Sequence, residues 1–130
     1  MLVVWCSRCG SCRGAESEIV HLSKLWGEQV KVLAVDPHPA DDPQSVNSYL
    51  QNKSLPLAVI LDPSQTLLKA FAIDRTTTAL VFDRHGKMRY FGPLQGEGPG
   101  FAADALKAVV AHRPVNSKTR PLRGCPIPGP

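Results

Sequence analysis

Aromatic residues are scarce, at 6% of 130 residues, and long apolar runs are missing altogether. No apolar stretch nears the roughly 20 residues that a helix needs to cross a bilayer, so no segment reads as transmembrane. The N-terminus has neither the basic n-region nor the h-region and cleavage site of a signal peptide. The chain starts almost inside an apolar run, Leu2-Val3-Val4, so the expectation is either a domain unusually short at its start or an upstream segment ahead of it. Cysteines number only four, and a chain of this length buries a core without needing disulfides as staples. An overall basic character is also absent from the body. Through His112 eleven Lys/Arg balance eleven Asp/Glu, so the net +4 comes from Arg113, Lys118, Arg120 and Arg123. Those four alternate with proline and lack interleaved aromatics, which argues against nucleic-acid binding. There is no internal repeat.

What is present is concentrated. Cys6, Cys9 and Cys12 fall within seven residues, directly after the apolar run and before a helical pattern, and Cys125 lies near the other end. Ala15, Ile19, Leu22 and Trp26 are spaced as one helix face, predicting a helix from Gly10 to Trp26 with Gly27 as its stop. Val30 to Val35 reads as a strand, closed by Asp36-Pro37-His38-Pro39. Asp42-Pro43 is a cap followed by proline at the first helical position, opening a helix to about Leu50. Leu57 to Leu61 is a continuous apolar run of strand length, ended by Asp62-Pro63, and a short helix carries Leu67, Leu68 and Phe71. Ala79–Phe82 and Met88–Phe91 form a hairpin around Gly86, and a helix runs from Phe101 to about Ala111. From Pro114 the chain is Pro-rich and aperiodic. The order predicts an α/β domain at residues 1–112, with parallel βαβ units and a terminal antiparallel hairpin in one mixed sheet flanked by helices. Residues 113–130 form a basic tail carrying Cys125.

A Cys-x-x-Cys between a strand and a helix suggests a redox dithiol. Only a thiolate attacks a disulfide, and a helix N-terminus favours the anion through its unpaired N–H groups. On this reading Cys6 is the nucleophile, Cys9 resolves, and Arg8 stabilises the thiolate. Cys12 and Cys125 are additional resolving candidates, Cys125 pairing with Cys6 or Cys12. Glu16 and His21 read first as solvated residues of the first helix and second as candidate proton acceptors, and His38, His85 and His112 read as surface residues. The rival is a four-thiolate site: Cys6-x2-Cys9-x2-Cys12 with a remote Cys125-Pro126 has the spacing of an iron–sulfur ligand set and would also suit tetrahedral zinc. The dithiol reading needs no cofactor. A third reading is a partner-binding module that uses its basic tail.

Val4-Trp5-Cys6-Ser7-Arg8-Cys9 resembles the Trp-Cys-x-x-Cys of the thioredoxin superfamily. The redoxin branch matches best, meaning TlpA/ResA-type oxidoreductases and their AhpC/TSA-like relatives. Pro56-Leu57-Ala58-Val59-Ile60-Leu61-Asp62-Pro63 and Ala79-Leu80-Val81-Phe82-Asp83-Arg84-His85-Gly86-Lys87 are similar to that family's central strand and hairpin. Gly124-Cys125-Pro126-Ile127 is similar to the ending of a redoxin subgroup with a terminal Gly-Cys-x-Ile motif. The resemblance implies a thioredoxin-like fold and disulfide exchange with protein or small-molecule thiol substrates. It also implies antioxidant activity, substrate contacts from Trp5, Thr76 and Thr77, and an extracytoplasmic or periplasmic location. Three departures stand out. Thr77 occupies the family's cis-proline position, and a cis bond there would cost about 3 kcal/mol, so it should be trans. Val3 stands where peroxiredoxins carry threonine, which sets the peroxidase alternative behind disulfide exchange. The family's buried acid before Trp-Cys falls ahead of Met1.

Overall fold

The computed structural model describes residues 1–95, 101–115 and 121–130. Five strands form one sheet in the order β3-β2-β1-β4-β5. β1 (Leu2–Val4), β2 (Leu33–Asp36) and β3 (Val59–Leu61) are parallel, while β4 (Thr78–Phe82) and β5 (Met88–Pro93) add an antiparallel hairpin. The helices are α1 (Gly10–Trp26), α2 (Pro43–Lys53), α3 (Thr66–Ala70) and α4 (Ala102–Val110). The α/β mixed sheet expected from the sequence is therefore present. No helix among the described residues is long and apolar enough to cross a membrane.

Alternation along the strands sorts the core onto two faces. Val3, Ala79, Val81 and Tyr90 pack with Ile19 and Leu22 of α1 and with Ala105 and Leu106 of α4. Val4, Val35 and Leu80 face the other way, against Leu68 of α3 and Ile73. Each fully buried Leu, Ile or Val of these clusters contributes roughly 1.5–3 kcal/mol by leaving water.

Element boundaries shift where pairing, not composition, decides them. β2 begins at Leu33 because the ladder with β1 starts at Leu2↔Leu33, so Val30 to Val32 lie outside it. β3 likewise begins at Val59, opposite Ala34. α2 runs on to Lys53 through polar residues that give no apolar signal, and Ser54 ends it in a left-handed conformation. Its start is as read: Asp42 Oδ1 accepts from Ser45 N at 2.8 Å, and Ser45 Oγ accepts from Asp42 N at 3.0 Å. Such a cap contributes about 1 kcal/mol.

This topology gathers three connections at one sheet edge. Parallel β1 and β2 both end there, and antiparallel β4 starts there. The segments Trp5 to Cys9, Asp36 to Asp41 and Asp74 to Thr77 therefore meet. Thr77 is trans, as expected from its lacking proline. It is held at φ 57° by a hydrogen bond from its N–H to Val4 O (2.7 Å) and one from Leu94 N to its own carbonyl (2.8 Å). For a β-branched residue that conformation is strained, typically by about 1–3 kcal/mol.

The tail reaches the same edge. Thr76 N donates to Cys125 O (3.0 Å), Cys125 N to Thr76 Oγ1 (3.0 Å) and Ile127 N to Asp74 O (3.1 Å), with Arg75 bridging antiparallel to Pro126. Gln65 Nε2 also donates to Pro128 O at 2.5 Å. This aperiodic stretch is docked by backbone pairing and by Ile127 against the core, interactions that no side-chain periodicity announces.

Candidate functional site

The Sγ atoms of Cys6, Cys9 and Cys12 all lie within 4.8 Å of one another. Cys6 and Cys9 are 4% and 5% exposed, and Cys12 is fully buried. Because α1 starts at Gly10, its N-cap is Cys9, and the positive end of the helix falls on Cys9 rather than on Cys6, where it was expected. Cys9 Sγ hydrogen-bonds with Ser11 Oγ (3.0 Å) and Thr76 Oγ1 (3.2 Å). Burial pushes the Cys9 thiol up, but hydrogen bonds from Cys125, Ser11, Thr76 and the Cys12 backbone outweigh it and bring it down to about 6. Cys6 is also lowered, first by a hydrogen bond from the Cys12 thiol and then, against burial, by the Arg8 backbone N–H. Donating to Cys6 and being buried both push the Cys12 thiol far up, so it stays protonated.

Several expected roles change. Arg8 reaches Cys6 through its backbone, while its guanidinium is taken by Asp41 Oδ1 (2.9 Å) and Ala40 O (3.1 Å). Trp5 is fully buried and presents no surface to a substrate, because the strand end turns it inward between α1 and α2. Thr76 touches Cys9 and Ser11 and is 2% exposed, whereas Thr77 is half-buried. Glu16 is a buried hub rather than a solvated residue. Its Oε1 accepts from Trp5 Nε1 (3.0 Å), Tyr49 OH (2.9 Å) and Arg13 Nη2 (2.9 Å). His21 is exposed, as read.

Besides Ser11 at Cys9 and Asp41 at Ser7 and Arg8, the site includes Arg13 and Asp36, none of them singled out by the sequence pattern. Arg13 lies over the Tyr49 ring at 4.4 Å and ties down the cysteine loop, donating to Ser7 O (2.6 Å) and Cys6 O (2.8 Å). Asp36, at the end of β2, is fully buried and accepts from His38 N at 3.0 Å. Burial, a hydrogen bond to Asp41, and the charges of Asp41 and Cys6 push its carboxyl up to about 8. Burial opposes the Asp41 carboxylate, yet hydrogen bonds from Asp36, Ser7 and Arg8 hold it below the usual range. Position was the available signal for Asp36: the end of a strand parallel to β1 lies at the cysteine edge.

The pH dependence of Asp36 follows. Between the usual carboxylate range, near 4, and its folded value of about 8, the folded chain holds a proton that the unfolded chain releases. The contribution of Asp36 to stability should therefore fall as pH rises through that window, by roughly 1.4 kcal/mol per pH unit. Thermal melts of Asp36→Asn from pH 5 to 8 should show a flattened decline. A slope equal to that of the unmodified protein would exclude Asp36 as the source.

Cys6, Cys9, Thr76, His38, Cys125 and Ile127 line a cavity of about 190 Å³, and Cys12 stands behind it. Its walls include Pro126 and Pro128 of the tail. A larger cavity of about 640 Å³ lies at the opposite sheet edge around Met1, Asp83, His85 and His112; it holds no thiol, so the smaller one carries the chemistry. Among the described residues, Cys6, Cys9 and Cys12 are the group whose ligand atoms are close enough to share a thiophilic cation. Tetrahedral zinc would need a fourth ligand. Cys125, 3.3 Å from the Ser11 Oγ that also contacts Cys9, is the remaining sulfur of the cavity lining.

The fold recurs in solved structures. An uncharacterized conserved protein from Geobacillus kaustophilus is 25% identical with a TM-score of 0.83, the match covering 97% of this chain and 74% of that one. A hypothetical protein from Sinorhizobium meliloti is 19% identical at TM-score 0.82, covering 97% and 76%. The exposed lipoprotein thioredoxin Etrx1 of Streptococcus pneumoniae is 22% identical at TM-score 0.66, covering 85% and 82%, and establishes a thioredoxin-like fold. No curated protein matches the sequence. The model of the AhpC/TSA family matches residues 1–91, well over half of the chain, and this protein belongs to that family.

Proposed function

We propose that the protein is a thiol–disulfide oxidoreductase whose exchanging pair is Cys6 and Cys9, with Cys9 attacking and Cys6 resolving. Family membership and fold suggest disulfide exchange. The observation that carries the assignment is the Cys9 thiol, placed at the α1 N-cap among hydrogen-bond donors and brought down to about 6. At neutral pH it is mostly thiolate, the form that reacts. The sequence alone favours Cys6 as attacker; the start of α1 supports the reverse order.

The chemistry runs in two exchanges. Cys9 thiolate attacks one sulfur of a substrate disulfide, forming a mixed disulfide, and the other substrate sulfur leaves as thiolate and takes a proton. Cys6 then gives up its proton and attacks Cys9 Sγ; the Cys6–Cys9 bond forms and the second substrate thiol departs. The protein dithiol is oxidised and the substrate disulfide reduced, and the reverse direction uses the same steps. The Asp36 carboxyl, pushed up to about 8 in part by the charge of Cys6, is mostly protonated at neutral pH. Substrates are protein or small-molecule disulfides.

Alkylation by iodoacetamide with peptide mapping tests the assignment. Cys9 should label first, with a half-maximal rate near pH 6. First labelling at Cys6, or a midpoint near that of a free cysteine at about 8.5, would contradict it.

A further inference from the structure

The tail covers the reactive pair. Gly124 to Pro128 lie antiparallel to Asp74–Thr76, and the paired N–H and C=O groups of Thr76 and Cys125 set the register. That register brings the Cys125 thiol to 3.3 Å from Ser11 Oγ, which itself lies 3.0 Å from Cys9 Sγ, and both thiols line the same cavity. Gly124 is required there. It sits at φ 105°, and a Cβ would run into the Thr76 carbonyl. Cys6 and Cys9 are nearly closed to solvent, while Cys125 is half-buried. A folded partner therefore meets Cys125 before it meets the pair.

Resting on the disulfide-exchange reading, we propose that Cys125 is a third redox thiol that takes over the Cys6–Cys9 disulfide and presents it to protein dithiols. Cys125 loses its proton and its sulfur attacks Cys9 Sγ. The Cys9–Cys125 bond forms, the Cys6–Cys9 bond breaks, and Cys6 leaves as thiolate and is reprotonated. No net oxidation occurs; the disulfide moves outward. A partner dithiol then attacks Cys125 Sγ and releases Cys9 as thiolate. The partner's second thiol closes its own disulfide and frees Cys125 as a thiol.

Disulfide mapping of the full chain, equilibrated with glutathione disulfide and quenched with N-ethylmaleimide, tests the transfer. In Cys6→Ser, where the competing bond is removed, Cys9–Cys125 should be the main disulfide. Cys125 alkylated throughout, with Cys9 held as a glutathione adduct or paired with Cys12, overturns the proposal. Gly124→Val keeps every thiol but opposes docking, and in the Cys6→Ser background it should cut Cys9–Cys125 at least fivefold. An unchanged yield overturns the docking basis. In Cys125→Ser, reduction of the oxidised chain by a protein dithiol, reduced thioredoxin, should slow at least tenfold, and an unchanged rate overturns the relay. Failure of the underlying reading looks different: no Cys6–Cys9 disulfide would form in any chain that retains both residues.

Discussion

Cys9→Ser should lower disulfide-reducing turnover by about a thousandfold or more, measured as dithiothreitol-driven reduction of insulin. Serine keeps the shape and the hydrogen bonds to Ser11 and Thr76 but is not ionised at neutral pH, so the first exchange has no nucleophile. The donors that stabilise a thiolate at Cys9 would then surround a neutral hydroxyl. Cys12→Ser is the informative contrast. Cys12 is fully buried, holds its proton and does not line the cavity, so its loss should cost less than about tenfold. If Cys12→Ser falls as far as Cys9→Ser, the exchanging pair is Cys9 with Cys12, and Cys6 is the supporting thiol.

The second large effect is on stability. Glu16→Ala should destabilise the fold by about 3–5 kcal/mol, because one carboxylate oxygen serves three donors. Trp5 Nε1 would lose its acceptor in a fully buried position, Tyr49 OH would lose its acceptor, and Arg13 would lose its ion-pair partner. Arg13 also holds the carbonyls of Cys6 and Ser7, so loosening should spread to the cysteine loop. Urea unfolding with an unchanged m-value would read the loss as a lower midpoint. A change below about 1 kcal/mol would show that the hub is replaced by water.

The start of α1 illustrates how far the residues alone carry the site. The apolar spacing Ala15, Ile19, Leu22, Trp26 places the helix start at Gly10, and a helix starting there has Cys9 at its N-cap. That consequence for the thiols was available from periodicity. The roles of Arg8 and Trp5 were not. Each depends on a partner distant in sequence, Asp41 for the guanidinium and Glu16 for the indole. Glu16 looks like an ordinary polar helix residue until α2 brings Tyr49 to its carboxylate.

By itself the sequence determined the α/β order, the mixed sheet, the capped start of α2, the Asp83–Gly86 hairpin turn and the cysteine cluster after the first strand. These are local signals: side-chain period, cap chemistry and turn residues act within a few positions of where they are written. Only the tertiary structure decided that Thr76 reaches Cys9, that Asp36 is a buried acid with a raised carboxyl, and that Cys125 joins Cys9 at Ser11 Oγ from the other end of the chain. Those outcomes depend on burial and on contacts between segments 30 to more than 100 residues apart, fixed when parallel β1 and β2 and antiparallel β4 bring their ends to one sheet edge.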